Sequence, residues 1–261
     1  MKIKIKGLKL NYKVDGLGSP VVIIHGWGED SNTVRNLTEM FAQTNTVYTL
    51  DLPGFGLSEI PDKSWDIYDY EDCVTKFIQA MNLDNVILVG HSVGGAIAIC
   101  LAYSRLVPIK GLFLVDAAGV RNKPGKKNII NKAKVIFYKI VKFLIKLLPL
   151  VAKKKEKLLN KLQRKTASED YLNAKGVMRN TFVKILNNDL QYAMAKVVQP
   201  SVLIWGDQDT ATPLDEAQIM NGLIRNSKLK IIRGAGHFPF LDKPEETYEI
   251  IQKELRRINS L

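Results

Sequence analysis

Ser92 lies in Val86-Ile87-Leu88-Val89-Gly90-His91-Ser92-Val93-Gly94-Gly95, a short apolar run followed by a Gly-x-Ser-x-Gly turn and then the small, apolar residues 96–103. A serine on a sharp strand-to-helix turn is forced into a costly backbone conformation, and glycine at positions 90 and 94 lets such a turn close without a clash. The hydroxyl is then lifted into open space at the start of a helix, where the Val93 amide and the helix dipole suit a developing negative charge. A hydroxyl attacks only when a base removes its proton. The chain has three histidines. His91 belongs to the turn and His25 to the loop His25-Gly26-Trp27-Gly28, where each is read as a structural residue hydrogen-bonding within its loop. That leaves His237, in Gly236-His237-Phe238-Pro239, as the base by elimination. A carboxylate must fix the imidazole tautomer, and Trp205-Gly206-Asp207-Gln208-Asp209 offers two after an apolar run. Asp207 follows the strand too closely to reach across easily, and this, together with the family resemblance given below, favours Asp209. Asp116, at the end of another apolar run, remains a competing carboxylate.

These residues need a scaffold that brings their loops to one edge. Short β-branched runs at 21–24, 47–50, 86–89, 112–115, 202–205 and 229–232 alternate with helical patterns at 32–42, 68–81, 93–103, 215–224 and 245–258. Such alternation indicates an α/β fold with a mostly parallel sheet flanked by helices. Residues 2–6 and 8–13 are expected to form a hairpin joined at Gly7, and Lys243-Pro244-Glu245-Glu246 carries a helix-start signature.

With 261 residues and 46% hydrophobic content, the chain is long enough to bury a large core. The two cysteines, Cys73 and Cys100, are too few for a disulfide framework and are read as free thiols. No secretory h-region is found at the start, so a cytoplasmic location is expected. The formal charge of +12 would suit nucleic-acid binding if it were spread or interleaved with aromatics. Instead, residues 119–198 hold 20 Lys plus Arg against 4 Asp plus Glu, while the remainder holds 18 against 22. The excess is one lysine-rich, helically patterned insert, and no nucleic-acid module accompanies it. Within it, Lys132, Lys139, Lys142 and Lys146 share one side of an otherwise apolar stretch at 135–151. Three interior lysines, each costing about 2.5–3.5 kcal/mol near a bilayer centre, exclude a membrane span. A basic amphipathic helix suits either a solvated cap or peripheral contact with an anionic membrane. No second ligand stands at zinc-site spacing from His25 or His91, so no metal is expected.

The motifs His25-Gly26-Trp27-Gly28, Asp51-Leu52-Pro53-Gly54-Phe55-Gly56-Leu57-Ser58, Gly90-His91-Ser92-Val93-Gly94-Gly95, Gly206-Asp207-Gln208-Asp209 and Gly236-His237-Phe238-Pro239 together make the chain resemble the α/β-hydrolase superfamily of esterases, lactonases and carbon–carbon bond hydrolases. The resemblance spans nearly the whole chain, and the order serine, aspartate, histidine is the one expected of that fold. It implies an eight-stranded sheet, a core of residues 1–118 and 199–261, and a helical cap at 119–198. It implies a triad of Ser92, Asp209 and His237, oxyanion donors in the backbone N–H groups of Trp27 and Val93, and a pocket lined by Trp27 and Phe238. The expected activity is hydrolysis of a small-molecule carboxylic ester through an acyl-enzyme, without cofactor. A lactonase or carbon–carbon hydrolase would use the same triad. A haloalkane dehalogenase is disfavoured, because that chemistry needs a carboxylate where Ser92 stands. A lipid hydrolase or thioesterase at an anionic membrane surface is the alternative from another substrate class. A ligand-binding receptor on a hydrolase scaffold is the alternative outside enzymes. Oligomeric state is left open by the sequence.

Overall fold

In the computed structural model, residues 1–121 and 169–260 are described. Eight strands form one sheet: β1 (Lys2–Ile5), β2 (Leu8–Asp15), β3 (Ser19–Ile24), β4 (Asn45–Leu50), β5 (Val86–His91), β6 (Ile109–Val115), β7 (Ser201–Gly206) and β8 (Ser227–Ile232). Their spatial order is β1-β2-β4-β3-β5-β6-β7-β8. The hairpin partner β1 and then β2 run antiparallel, and every pairing from β4 to β8 is parallel. The chain leaves β3 for β4 on one side and later returns to β5 on the other, so β3 and β5 flank the point where the winding reverses. Open α/β sheets place ligand sites at the carboxyl ends of strands beside such a point.

Side-chain alternation divides the core between the two faces of the sheet. Val22, Ile24, Leu88, Leu112, Leu114, Leu203 and Trp205 pack into one cluster. Their neighbours Val21, Ile23, Ile87, Val89, Phe113, Val115, Val202 and Ile204 pack into the other. This is why the sequence runs are continuously apolar: both faces of the central strands are covered.

Helices α1 (Arg35–Ala42), α2 (Ile67–Ala80) and α3 (Val93–Ser104) follow β3, β4 and β5. The start of α2 is fixed by a capping box between Asp66 and Asp69. Residues 93–102 of α3 are all buried, which explains a helix with apolar and small residues on every side rather than on one stripe. After β6, the described part of the lysine-rich stretch carries α4 (Glu169–Asn173), α5 (Gly176–Leu186) and α6 (Gln191–Met194). The amphipathic pattern at 135–151, with its lysines at 132, 139, 142 and 146, lies outside the described residues. The chain rejoins the core where Leu190 N–H donates to the Gly119 carbonyl at 2.8 Å. The last helices are α7 (Leu214–Leu223), α8 (Pro239–Asp242) and α9 (Pro244–Asn259). Pro244 opens α9, with Glu245 and Glu246 in the first turn and Arg256 and Arg257 in the last, an arrangement that complements the helix dipole. No helix among the described residues is long and apolar enough to cross a membrane.

Candidate active site

Ser92 sits between β5 and α3 with φ 52° and ψ −118°, a conformation that a non-glycine residue rarely adopts. Several contacts hold it there. Ser92 N–H donates to the Val115 carbonyl at 3.1 Å, and the Ser92 carbonyl accepts from Gly95 at 3.0 Å and Ala118 at 2.9 Å. The flanking glycines are required by close approach. A Cβ on Gly94 would lie 2.0 Å from the Ile24 carbonyl oxygen, and one on Gly90 would lie 2.5 Å from the Gly94 carbonyl oxygen. Strain concentrated at one residue and sustained by its surroundings marks functional turns.

Asp209 and His237, expected from the sequence to act together, are directly bonded. His237 Nδ1 donates to Asp209 Oδ2 at 2.7 Å. The other Asp209 oxygen accepts the Ala211 and Thr212 N–H groups at 2.7 and 3.1 Å, and the Thr212 hydroxyl donates to Oδ2 at 2.6 Å. Burial pushes the Asp209 carboxyl upward, but the hydrogen bonds from His237 and Thr212 outweigh it and hold it at about 2. With Nδ1 committed to a carboxylate, Nε2 is the ring nitrogen left to accept a proton. Thr212 had no motif to announce it, since it stands three residues beyond Asp209 and outside the Gly206-Asp207-Gln208-Asp209 motif.

Asp116, the competing carboxylate, is fully buried with φ 42°. Its Oδ1 accepts the Gly206 N–H at 3.0 Å, and its Oδ2 lacks a hydrogen-bond partner among the described residues. Burial and the neighbouring Asp209 push its acidity to about 10, so it is a neutral acid beside an ionised one. Asp116, Asp209 and His237 hold donor atoms within 4.8 Å of one another. Asp207 is exposed and accepts the Gly234 N–H at 2.7 Å, tying its own loop to the one before His237.

A cavity of about 830 Å³ opens beside these groups and is lined by both Ser92 and His237. Trp27 and Phe238 line it, and so do Val93, Phe55, Met178 and Phe182. The Trp27 ring packs edge-on to Phe55 at 4.8 Å and tilted on Phe182 at 4.9 Å. Met178 and Phe182 come from α5, so part of the wall belongs to the stretch after β6. Glu216, in the first turn of α7, also faces the cavity. Burial, then the neighbouring Asp215 and Asp209, raise its carboxyl to about 7.

The loop after β3 lies against the serine: a Cβ on Gly26 would be 2.9 Å from Ser92 Cβ. His25 anchors this loop as expected, its Nδ1 donating to the Gly26 carbonyl at 2.7 Å, while its Nε2 accepts the Leu52 N–H at 2.9 Å. Burial lowers its tendency to charge. His91 differs from expectation. Rather than bonding within its own turn, it reaches Glu29 and the His237 carbonyl, because its side chain leaves the strand end toward the histidine loop. Asp51 and Ser58 hold their own loop together through hydrogen bonds with Ser31, Leu57 and Asn11.

A family model for the alpha/beta hydrolase fold matches residues 19–244. An uncharacterized protein of Mycobacterium tuberculosis is 26% identical, with 95% of this chain and 79% of that protein covered. A pimeloyl-[acyl-carrier protein] methyl ester esterase of Wigglesworthia glossinidia brevipalpis is 27% identical, with 95% and 98% covered. Among solved structures, a membrane phospholipase A described as a bacterial virulence factor superposes with TM-score 0.78 at 23% identity, over 100% of this chain and 86% of that one. Esterases and lipases recur among further structural neighbours.

Proposed function

The chain belongs to the α/β-hydrolase family, and we propose that it is a serine hydrolase that cleaves carboxylic esters through an acyl-enzyme, acting in the cytoplasm without a metal or organic cofactor. The observation that carries this reading is the 2.7 Å hydrogen bond from His237 to Asp209 beside a cavity that Ser92 lines. In this mechanism His237 Nε2 takes the Ser92 proton as the oxygen attacks the ester carbonyl carbon. Asp209 stabilises the imidazolium, and the N–H groups of Trp27 and Val93 bind the oxyanion. Collapse of the tetrahedral species expels the alcohol, which takes the proton from His237. Water then enters, gives a proton to the same nitrogen, and attacks the acyl-enzyme; the proton returns to Ser92 as the acid leaves. Residues 119–198 form the cap in this reading, with α5 as part of the wall over a mainly apolar acyl site. Lactones are open to the same chemistry. The intact set Ser92, Asp209 and His237 argues against a ligand-binding receptor on a hydrolase scaffold, and failure of a fluorophosphonate to label Ser92 would revive that alternative.

The test is a panel of p-nitrophenyl esters graded by acyl length, run with wild type and Ser92→Ala. Wild type is expected to turn over esters of short to medium acyl chains, and Ser92→Ala to lose about 10⁴-fold or more in kcat. Retained turnover in Ser92→Ala, with the same substrate preference, contradicts the proposal.

A second reading is a lipid hydrolase or thioesterase at an anionic membrane surface. Its support is the lysine excess of residues 119–198 together with the exposed Val183 and Leu186 on α5, of which Leu186 also lines the cavity. Activity that rises on anionic vesicles and falls with salt favours it. Activity on short soluble esters that vesicles leave unchanged removes it.

A further inference from the structure

Three loops must stay in register for the proposed reaction: the one after β3 that carries Trp27, the turn that carries Ser92, and the one that carries His237. A buried pair joins all three. Glu29 is almost wholly buried and His91 fully so. Glu29 Oε2 accepts the Gly26 N–H at 3.0 Å, and the carboxylate meets His91 Nδ1 at 2.9 Å through Oε1 and 3.0 Å through Oε2. On its other edge, His91 Nε2 lies 2.8 Å from the His237 carbonyl oxygen. A carbonyl oxygen only accepts, so Nε2 must carry a proton, and a further proton lies between Nδ1 and the carboxylate. The ring is boxed in by Phe238 at 4.9 Å, Phe240 at 5.3 Å and the His237 ring at 4.8 Å, so it has one orientation.

We propose that Glu29 is a positioning residue whose carboxylate, through the Gly26 N–H and His91, clasps the oxyanion loop and the histidine loop to the serine turn. The consequence follows from what else Gly26 does. Its carbonyl accepts from His25 while its N–H donates to Glu29, so both backbone groups that precede the Trp27 N–H are tied down. A donor aimed at the oxyanion contributes in the transition state rather than in the ground state, and a displacement of about 1 Å in such a group costs up to about a hundredfold. The clasp also explains why Glu29 stays ionised although buried. Burial raises its carboxyl, but the hydrogen bond and charge of His91 outweigh that and bring it below its ordinary value.

This inference rests on the serine-hydrolase reading, and the experiment separates the two. Wild type, Glu29→Ala and Glu29→Gln are compared for kcat and KM on p-nitrophenyl butyrate, for inhibition by an alkyl trifluoromethyl ketone, and for melting temperature. The ketone's adduct carries an oxyanion, whereas KM senses the ground state. Glu29→Ala is expected to lower kcat about tenfold to a hundredfold and to weaken the ketone in parallel, with KM within about twofold. Glu29→Gln is expected to stay within about threefold of wild type, because its carbonyl accepts from Gly26 and its amide donates to His91 Nδ1. A Glu29→Ala protein that melts lower yet keeps wild-type kcat and ketone affinity overturns the clasp, reducing the pair to a stability contact. Equal losses in both variants also overturn it. Should Glu29→Ala not fold, ¹⁵N spectra of histidine-labelled wild type decide: the clasp requires His91 Nε2 to be protonated at neutral pH, and an unprotonated Nε2 overturns it. A wild type without ester turnover removes the underlying reading, and the clasp with it.

Discussion

Asp116 and Asp209 are two carboxylates within reach of one histidine, and their surroundings drive them apart. Asp209 has hydrogen bonds to both oxygens and sits at about 2, whereas Asp116 is fully buried beside Asp209 and sits at about 10. Only an ionised group stabilises an imidazolium, so the two positions have unequal duties. Asp209→Asn is expected to lower kcat about 10⁴-fold, because it reverses the tautomer that Nε2 needs. Asp116→Asn is expected to leave kcat within about fivefold, since an amide there stays neutral as the acid does; kinetics on one ester separates these outcomes. Stability gives an independent check on Asp116. A carboxyl whose folded value is raised from 3.8 weakens the fold as pH rises from that value toward about 10. Asp116→Asn is therefore expected to raise the melting temperature more at pH 8 than at pH 4, read by calorimetry at both. Equal shifts at the two pH values contradict the assignment. The sequence exposed both aspartates by their places at strand ends. It did not show which would be ionised, because that depends on Gly206, Ala211, Thr212 and His237 meeting them in space.

At the scale of elements, most of the scaffold was legible. Runs such as 86–89 and 202–205 fall inside β5 and β7, because strands buried on both faces are apolar at every position. Pro244 and the paired glutamates likewise mark the start of α9. What the sequence could not supply is contact between elements. Nothing in a span of 62 residues predicts that Glu29 meets His91, and α5 reveals no reason in its own spacing to set Met178 against Gly54. Two predictions belong here. Gly94→Ala forces a methyl into the Ile24 carbonyl, so the turn cannot close; a loss of about 3 kcal/mol is expected. The melting temperature should fall by roughly 6–12 °C, and an unchanged value contradicts the packing. On α7, Glu216 ionises at about 7, adding negative charge to the cavity near Asp209. For an ester whose acyl chain ends in a carboxylate, kcat/KM relative to a neutral analogue is expected to fall as pH rises through about 7. Glu216→Gln should abolish that dependence.

For the whole molecule, the sheet delivers residues scattered over more than two hundred positions to one rim. The loops after β3, β5, β7 and β8 each contribute a part: Trp27, Ser92, Asp209 and His237. The charge is unevenly spread along the chain, with 20 Lys plus Arg against 4 Asp plus Glu in residues 119–198 and 18 against 22 in the remainder. The central claim is that the Ser92 hydroxyl is an activated nucleophile. Intact-mass and peptide analysis after exposure to a fluorophosphonate tests it directly. One adduct per chain on the peptide containing Ser92, abolished in Ser92→Ala and strongly slowed in His237→Ala, is the predicted result; an unlabelled Ser92 in folded wild-type protein would contradict the account.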